Sequence, residues 1–198
     1  MEHICHNKKC IFVHVPKAAG RSIAESLGWD RSLYGGHHRA LHLRFRYKRI
    51  YENYFVFSFC RDPLTRAISA FNYFKNSKTF QRQIMQRLDR DLFKAVDESK
   101  NFDQFCKKFL FDKNPLDLID HFKPQHYFLC DSKDKILVDF LGRFESIEKD
   151  FKIITEKLNV PAELEHRNKG SQQQPVTKET KNIIKKIYEK DFKIFYYK

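Results

Sequence analysis

Between His14 and Gly28 the chain reads HVPKAAGRSIAESLG, with Lys17 ahead of Ala18, Ala19, Gly20, Arg21 and Ser22. Lysine is a compact point charge and glycine lets a backbone approach a ligand closely, so the combination suits the holding of an anion. The order differs from a Walker loop, whose lysine follows the second glycine and directly precedes Ser or Thr. The flanking residues still build a cradle. CIFVHV, Cys10–Val15, reads as a short buried strand, and a helical pattern follows Gly20. Free backbone N–H groups at that helix start would face bound negative charge, with Lys17 beside it. A purely structural turn is the competing interpretation.

A second basic motif follows another strand-like run. YFVFSFC, Tyr54–Cys60, leads into RDPLTRAISAFNYF, where Asp62 fits an N-cap and Pro63 the first helical position. Open parallel sheets bind ligands beyond the carboxyl ends of their strands. Arg61 is therefore expected in the same crevice as Lys17, and Ser69, two turns into the helix, could add a hydroxyl to an anion held by Arg61. The alternative pairs Arg61 with a carboxylate and leaves Ser69 simply exposed. Between the two motifs, GGHHRALH carries His37, His38 and His42. Imidazole titrates near neutrality and suits a general base.

The elements that must position these residues form an alternating series. Strand-like runs at Cys10–Val15, Tyr54–Cys60, Tyr127–Cys130 and Ile136–Phe140 are separated by helical patterns, which predicts an α/β fold with a central parallel sheet flanked by helices. Helical patterns dominate after Phe71, through FKNSKTFQRQIMQRLDRDLFKAVDESK and FDQFCKKFLFD, whose phenylalanine stripes read as core. A final helix is expected from Lys178 to about Asp191, preceded by a loop at KGSQQQP. The 198 residues, 41% hydrophobic and 15% aromatic, suffice for one domain over residues 1–198, with 1–9 expected as a flexible tail.

Thirty-eight Lys and Arg against 25 Asp and Glu give a net charge of +13, so anionic partners are favoured without being distinguished. Five cysteines with no CxxC pair argue for reduced, mostly buried thiols. His3, Cys5, His6 and Cys10 are metal-capable, but no second ligand pair follows at zinc-site spacing. No apolar run approaches the roughly 18 residues of a spanning helix, and MEHICHNKKC is too polar for a signal peptide. If Met1 is the native start, a cytoplasmic protein is expected.

Taken together, the two motifs resemble those of the sulfotransferase superfamily, and the likeness is close to its sulfotransferase family 2, the carbohydrate sulfotransferase-like branch. HVPKAAGRSI resembles the loop that holds the 5′-phosphosulfate of 3′-phosphoadenosine 5′-phosphosulfate (PAPS), and CRDPLTRAISAFNYF the segment that holds its 3′-phosphate. HFKPQHYFL, GRFESIEKDFKIITEKLNV and IYEKDFKIFYY are similar to later segments of that branch, in the same order, so the resemblance covers most of the chain. It implies a P-loop-like sulfotransferase fold and transfer of a sulfuryl group from PAPS to an acceptor hydroxyl, without a metal.

The resemblance also implies roles. Lys17 neutralises charge on the departing phosphate. Pro16 to Ser22 form the loop, with Ser22 and the loop amides on the 5′-phosphate, and Arg61 and Ser69 bind the 3′-phosphate. His38 best matches the general base, with His37, His42 or a carboxylate as alternatives. Two departures stand out: Ala18 replaces a frequent Thr, and Arg21 is larger than the usual residue. In HRNKGS the expected Asn-x-Ser spacing is broken by Gly170, which leaves Asn168, Lys169 and Ser171 without a role.

Two other functions fit parts of the sequence. A nucleotide kinase would want a strand, an anion loop and basic residues, but GK[ST] is missing. A nucleic-acid-binding module would use the net charge and the aromatic interleaving of RFRYKRIYENYF, which reads more simply as a solvated basic helix face leading into a strand. The expected partner is a hydroxyl-bearing acceptor, with an acidic glycan or glycolipid favoured by the basic charge and no nucleic acid.

Overall fold

The computed structural model describes residues 4–29, 36–76, 87, 89–161, 163–164 and 175–198. The chain is α/β, as its alternating pattern predicts, and divides into two compact units. One is built from Met1–Asp62 and Gln125–Lys169, the other from Pro63–Pro124 and Gly170–Lys198.

The first unit holds a four-stranded sheet in the order β1 (Ile4–Cys5), β2 (Cys10–Val13), β3 (Phe55–Cys60) and β4 (Phe140–Arg143). β2, β3 and β4 are parallel, with Val13 beside Ser58 and Cys60 beside Arg143. Every residue of β2 is buried, as are Val56 to Cys60 of β3. Such continuous apolar runs belong to parallel strands covered on both faces. The one polar side chain among them, Ser58, donates to the Val13 carbonyl at 2.6 Å. Helices α1 (Gly20–Ser26), α2 (Ala40–Arg46) and α3 (Lys48–Asn53) lie between β2 and β3 in the chain.

β1 runs antiparallel to β2, so the sheet is mixed rather than wholly parallel. This places residues 4–9 in an edge hairpin where a flexible tail is expected from the polar sequence. The turn closes with Lys9 N–H donating to the His6 carbonyl, and His6 Nδ1 lies 2.9 Å from the Tyr54 hydroxyl. Cross-strand pairing and one side-chain contact hold a segment that has little hydrophobicity of its own. All five cysteines are free thiols, and Cys10, opposite Cys5, is pushed up to about 12 by burial and by that neighbour.

The second unit is helical: α4 (Pro63–Asn76), α5 (Arg90–Glu98) and α6 (Phe102–Lys108) with the later α9 (Lys178–Ile187) and α10 (Glu189–Ile194). α4 starts at Pro63, the expected first position, while the final helix breaks at Tyr188. Phe74, Phe93, Phe102, Phe105 and Phe109 are buried in its core, as the stripes predict, together with Phe71 and Phe122, whereas Phe111 of the second stripe is exposed at the surface. Much of the expected helix between α4 and α5, and the KGSQQQP loop up to Gln174, lie outside the described residues.

Arg66 is wholly buried in this unit. It donates to the carbonyls of His121, at 3.3 Å, and Lys123, at 2.6 Å, and lies 5.5 Å from the centre of the Tyr188 ring. The Tyr188 hydroxyl in turn donates to the Phe122 carbonyl at 2.7 Å. Arg66 thus satisfies a turn that would otherwise bury bare carbonyls. Arg66→Met, which keeps most of the volume, is expected to cost about 3 kcal/mol or more, read as a lower denaturation midpoint.

Back in the first unit, Tyr127–Cys130 is not the expected strand. Gln125–Leu129 form helix α7, and Cys130 makes one isolated antiparallel bridge to Ile136. A four-residue apolar run carries no period of its own. The buried set Gln125, Phe128 and Leu129 is spaced i, i+3, i+4, which only a helix places on one side. β4 likewise begins at the last residue of its expected run, Phe140, and continues to Arg143. Asp139 sets that start: its N–H donates to the Val56 carbonyl and its carboxylate accepts from the Val56 N–H, both at 2.8 Å. A 3₁₀ turn at Phe144–Ser146 and helix α8 (Ile147–Leu158) follow.

Candidate functional site

The loop after β2 holds its shape through two residues in the left-handed region, Lys17 at φ 67° and Ala19 at φ 64°, ψ 13°. Neither is glycine, so each conformation costs on the order of 1 kcal/mol and must be imposed by its surroundings. Left-handed residues in a tight turn bring neighbouring amides to one side, the geometry of an anion-binding nest. Ala18 N–H is spent on the Val15 carbonyl, which closes the turn at 3.3 Å. α1 then starts at Gly20 with Ala19 as N-cap, and no side chain caps its first amides. Ser22, half-buried, stands in that first turn.

Gly20 is required by packing. A β-carbon there would overlap the His14 imidazole, which stacks on Phe12 at 5.7 Å and meets the edge of His37 at 4.7 Å. Glycine therefore lets α1 start against the strand end.

Three cations gather at the loop. Arg61, just beyond β3, donates from Nη1 to the Lys17 carbonyl at 3.3 Å, and its guanidinium lies 3.9 Å from the centre of the Phe144 ring. Burial first, then the charges of Arg61 and Arg21, lower the Lys17 ammonium to about 8. Arg21 points outward and its guanidinium reaches the Glu25 carboxylate at 3.3 Å. Sequence spacing predicts that Lys17 and Arg61 share one crevice, and the structure brings them together. Ser69 sits half-buried on α4, in the second unit.

What holds Arg61 is absent from the sequence expectations. Gln125, fully buried at the start of α7, accepts from the Arg61 N–H at 2.9 Å and donates to the Arg61 carbonyl at 2.7 Å. Glu145 accepts from the next amide, that of Asp62, at 2.7 Å. Asp150 accepts from the Arg143 N–H at 2.7 Å and from the Ser146 hydroxyl at 2.8 Å, which anchors the turn that carries Phe144 and Glu145. The available signal is a lone amide side chain directly after Pro124, in the segment HFKPQHYFL. Gln125→Ala is expected to cost about 1–3 kcal/mol for each Arg61 backbone group left unsatisfied, measurable by urea denaturation.

The histidines separate. His38, half-buried, immediately precedes Arg39, the N-cap of α2, and its ring stacks with that of the exposed His42 at 6.0 Å. His37 turns instead toward His14 and Phe128, whose ring centre is 6.4 Å away. Arg39 is held by the Tyr127 carbonyl at 2.9 Å and lies over the Tyr127 ring. Asn168, Lys169 and Ser171 lie outside the described residues. Among the described residues, no group of three or more His, Cys, Asp or Glu could hold a metal ion.

Comparison with known proteins bears on this arrangement. Over 136 residues the chain is 32% identical to carbohydrate sulfotransferase 14 of Danio rerio, and over 116 residues 29% identical to carbohydrate sulfotransferase 14 of Mus musculus. These matches take in 65% and 56% of this chain but only 36% and 30% of the relatives, so the chain spans about a third of their length. A protein of Archaeoglobus fulgidus is 27% identical over 123 residues, which cover 61% of this chain and 80% of the relative. No solved structure matches the chain closely enough to count. The family model described as "Sulfotransferase family" matches residues 3–198, nearly the whole length, and so takes in the loop of Lys17, the turn of Arg61 and the segment of Gln125 alike. The chain belongs to the sulfotransferase family.

Proposed function

We propose that this protein transfers a sulfuryl group from PAPS to a hydroxyl of a carbohydrate or glycolipid acceptor. The observation that carries the reading is the approach of Arg61 to the left-handed loop of Lys17, which leads into uncapped amides at the start of α1. Three cations and a nest suit a ligand with several phosphate or sulfate charges. The carbohydrate sulfotransferases among the relatives support a glycan acceptor. The net charge of +13 favours an acidic one, whose apparent KM should rise with salt.

PAPS supplies an activated sulfuryl group, and the chain supplies position and charge. The acceptor oxygen forms its bond to sulfur as the bond from sulfur to the phosphate oxygen breaks, in line. His38 takes the acceptor proton. Lys17 offsets the negative charge that builds on the departing phosphate. Ser22 and the amides from Ala19 to Ser22 hold the 5′-phosphate, with Pro16 and Ala18 shaping the turn and Arg21 at its rim. Arg61 meets the 3′-phosphate. The displacement needs orientation and electrostatic stabilisation, and no metal ion enters it.

Calorimetry with adenosine 3′,5′-bisphosphate in the presence of EDTA tests the reading, followed by transfer from labelled PAPS to a panel of saccharides. Tight, chelator-resistant binding is expected, weakened about tenfold or more in Arg61→Ala. Preference for ATP with magnesium would move the chain to kinase chemistry. Salt-sensitive binding of arbitrary DNA with no response to PAPS would make it a nucleic-acid module.

A further inference from the structure

Helix α2 turns Ala40 and Leu43 into the protein and leaves Leu41 and Phe45 outside. Phe45 is 89% exposed and Leu41, one turn before it on the same side, 37%. Arg44, Arg46, Lys48 and Arg49, all exposed, surround them, and Glu52 is the only carboxylate on α2 and α3. We infer that α2 and α3 form a membrane-docking face, which seats its cations on anionic lipid headgroups and inserts Phe45, with Leu41, into the acyl boundary.

The chemistry of the patch selects this occupant. Two apolar side chains are far too few for the roughly 800 Å² that each partner gives to a stable protein interface. They suffice for interfacial binding, where aromatic insertion adds to attraction between basic residues and an anionic leaflet. A soluble polyanion would engage the cations but gain little from Leu41. Docking of this kind needs no spanning segment, and among the described residues no helix is long and apolar enough to cross a membrane. The inference does not depend on sulfuryl transfer, since it can be read by binding alone.

The test is co-sedimentation of the full chain with vesicles of phosphatidylcholine, alone or mixed with an equal part of phosphatidylglycerol. Binding should favour the mixed vesicles by about tenfold or more and weaken with salt. Phe45→Ser should lower partitioning about tenfold without changing thermal unfolding, and Arg44→Glu with Lys48→Glu should lower it at least as much. In Phe45→Trp, the added indole emission, after subtraction of the Trp29 signal, should shift to the blue and be quenched by brominated acyl chains. Equal binding to both vesicle types, no binding to either, or Phe45→Ser partitioning like the parent protein would each overturn the inference. So would stronger binding to heparin that ignores Phe45, because the face would then serve a soluble polyanion.

Discussion

Replacing Lys17 by alanine is expected to slow sulfuryl transfer by about 100- to 1,000-fold, the range typical of losing one preorganised charge at a developing anion. Affinity for adenosine 3′,5′-bisphosphate should fall much less. The asymmetry follows from differential binding: an interaction that strengthens as the bond to the leaving phosphate breaks appears in kcat, and one made equally with donor and product appears in affinity. Arg61→Ala is the contrasting case. Its guanidinium is braced by Phe144 and its backbone by Gln125, so it stands ready for a charge present throughout the reaction. Equal losses in rate and affinity in both variants would contradict this division.

The same lysine is expected to give the reaction an alkaline limit. Burial and two neighbouring cations hold it near 8 in the free protein, so it loses its proton as pH rises through that value. A bound phosphate stabilises the ammonium and raises it again. Bisphosphate affinity should therefore fall as pH rises through about 8, by no more than it falls in Lys17→Ala, with proton uptake on binding detectable by calorimetry in buffers of different ionisation enthalpy. Folding follows the linked rule. The native state releases this proton before the unfolded chain does, so between about 8 and the ordinary lysine value of 10.5 the unfolded chain binds more protons and Lys17 makes stability rise with pH. Lys17→Met should abolish both the uptake and this slope.

The second large effect concerns the base. His38→Ala is expected to lower turnover by about 100- to 10,000-fold with bisphosphate binding nearly unchanged, since proton transfer touches the acceptor and not the nucleotide. His37→Ala provides the control. It removes a ring packed between His14 and Phe128, so its main effect should be on stability and on the loop that His14 supports. A near-normal His38→Ala beside an inactive, well-folded His37→Ala would transfer the role to His37.

Local signals in the chain were strong where they met a single demand. CIFV and VFSFC are buried on both faces of the sheet, and apolar runs of that length have nowhere else to go. Pro63 marked the start of α4 because its fixed φ and missing N–H fit only the first helical turn. The family resemblance likewise rested on contiguous motifs that stay together however the chain folds. HYFLC gave no such signal. Its helix was set by which side chains found a buried wall, and short apolar runs follow their neighbours rather than their own propensity.

By itself, then, the sequence determined the α/β class, the family, and the approach of Lys17 to Arg61, because strand ends of a parallel sheet share one edge and both residues follow strands that could be recognised locally. The tertiary structure decided the rest. The Gln125 side chain, 64 residues away, clamps the Arg61 backbone, the fold imposes positive φ on Lys17 and Ala19, the His14 ring demands Gly20, and pairing with β2 orders a polar N-terminal segment. Each of these depends on contacts between segments distant in the chain, and composition and spacing carry no record of which distant group will arrive. The depressed Lys17 is of the same kind: its charge is written in the sequence, but burial and the neighbouring guanidinium groups exist only once the chain has folded.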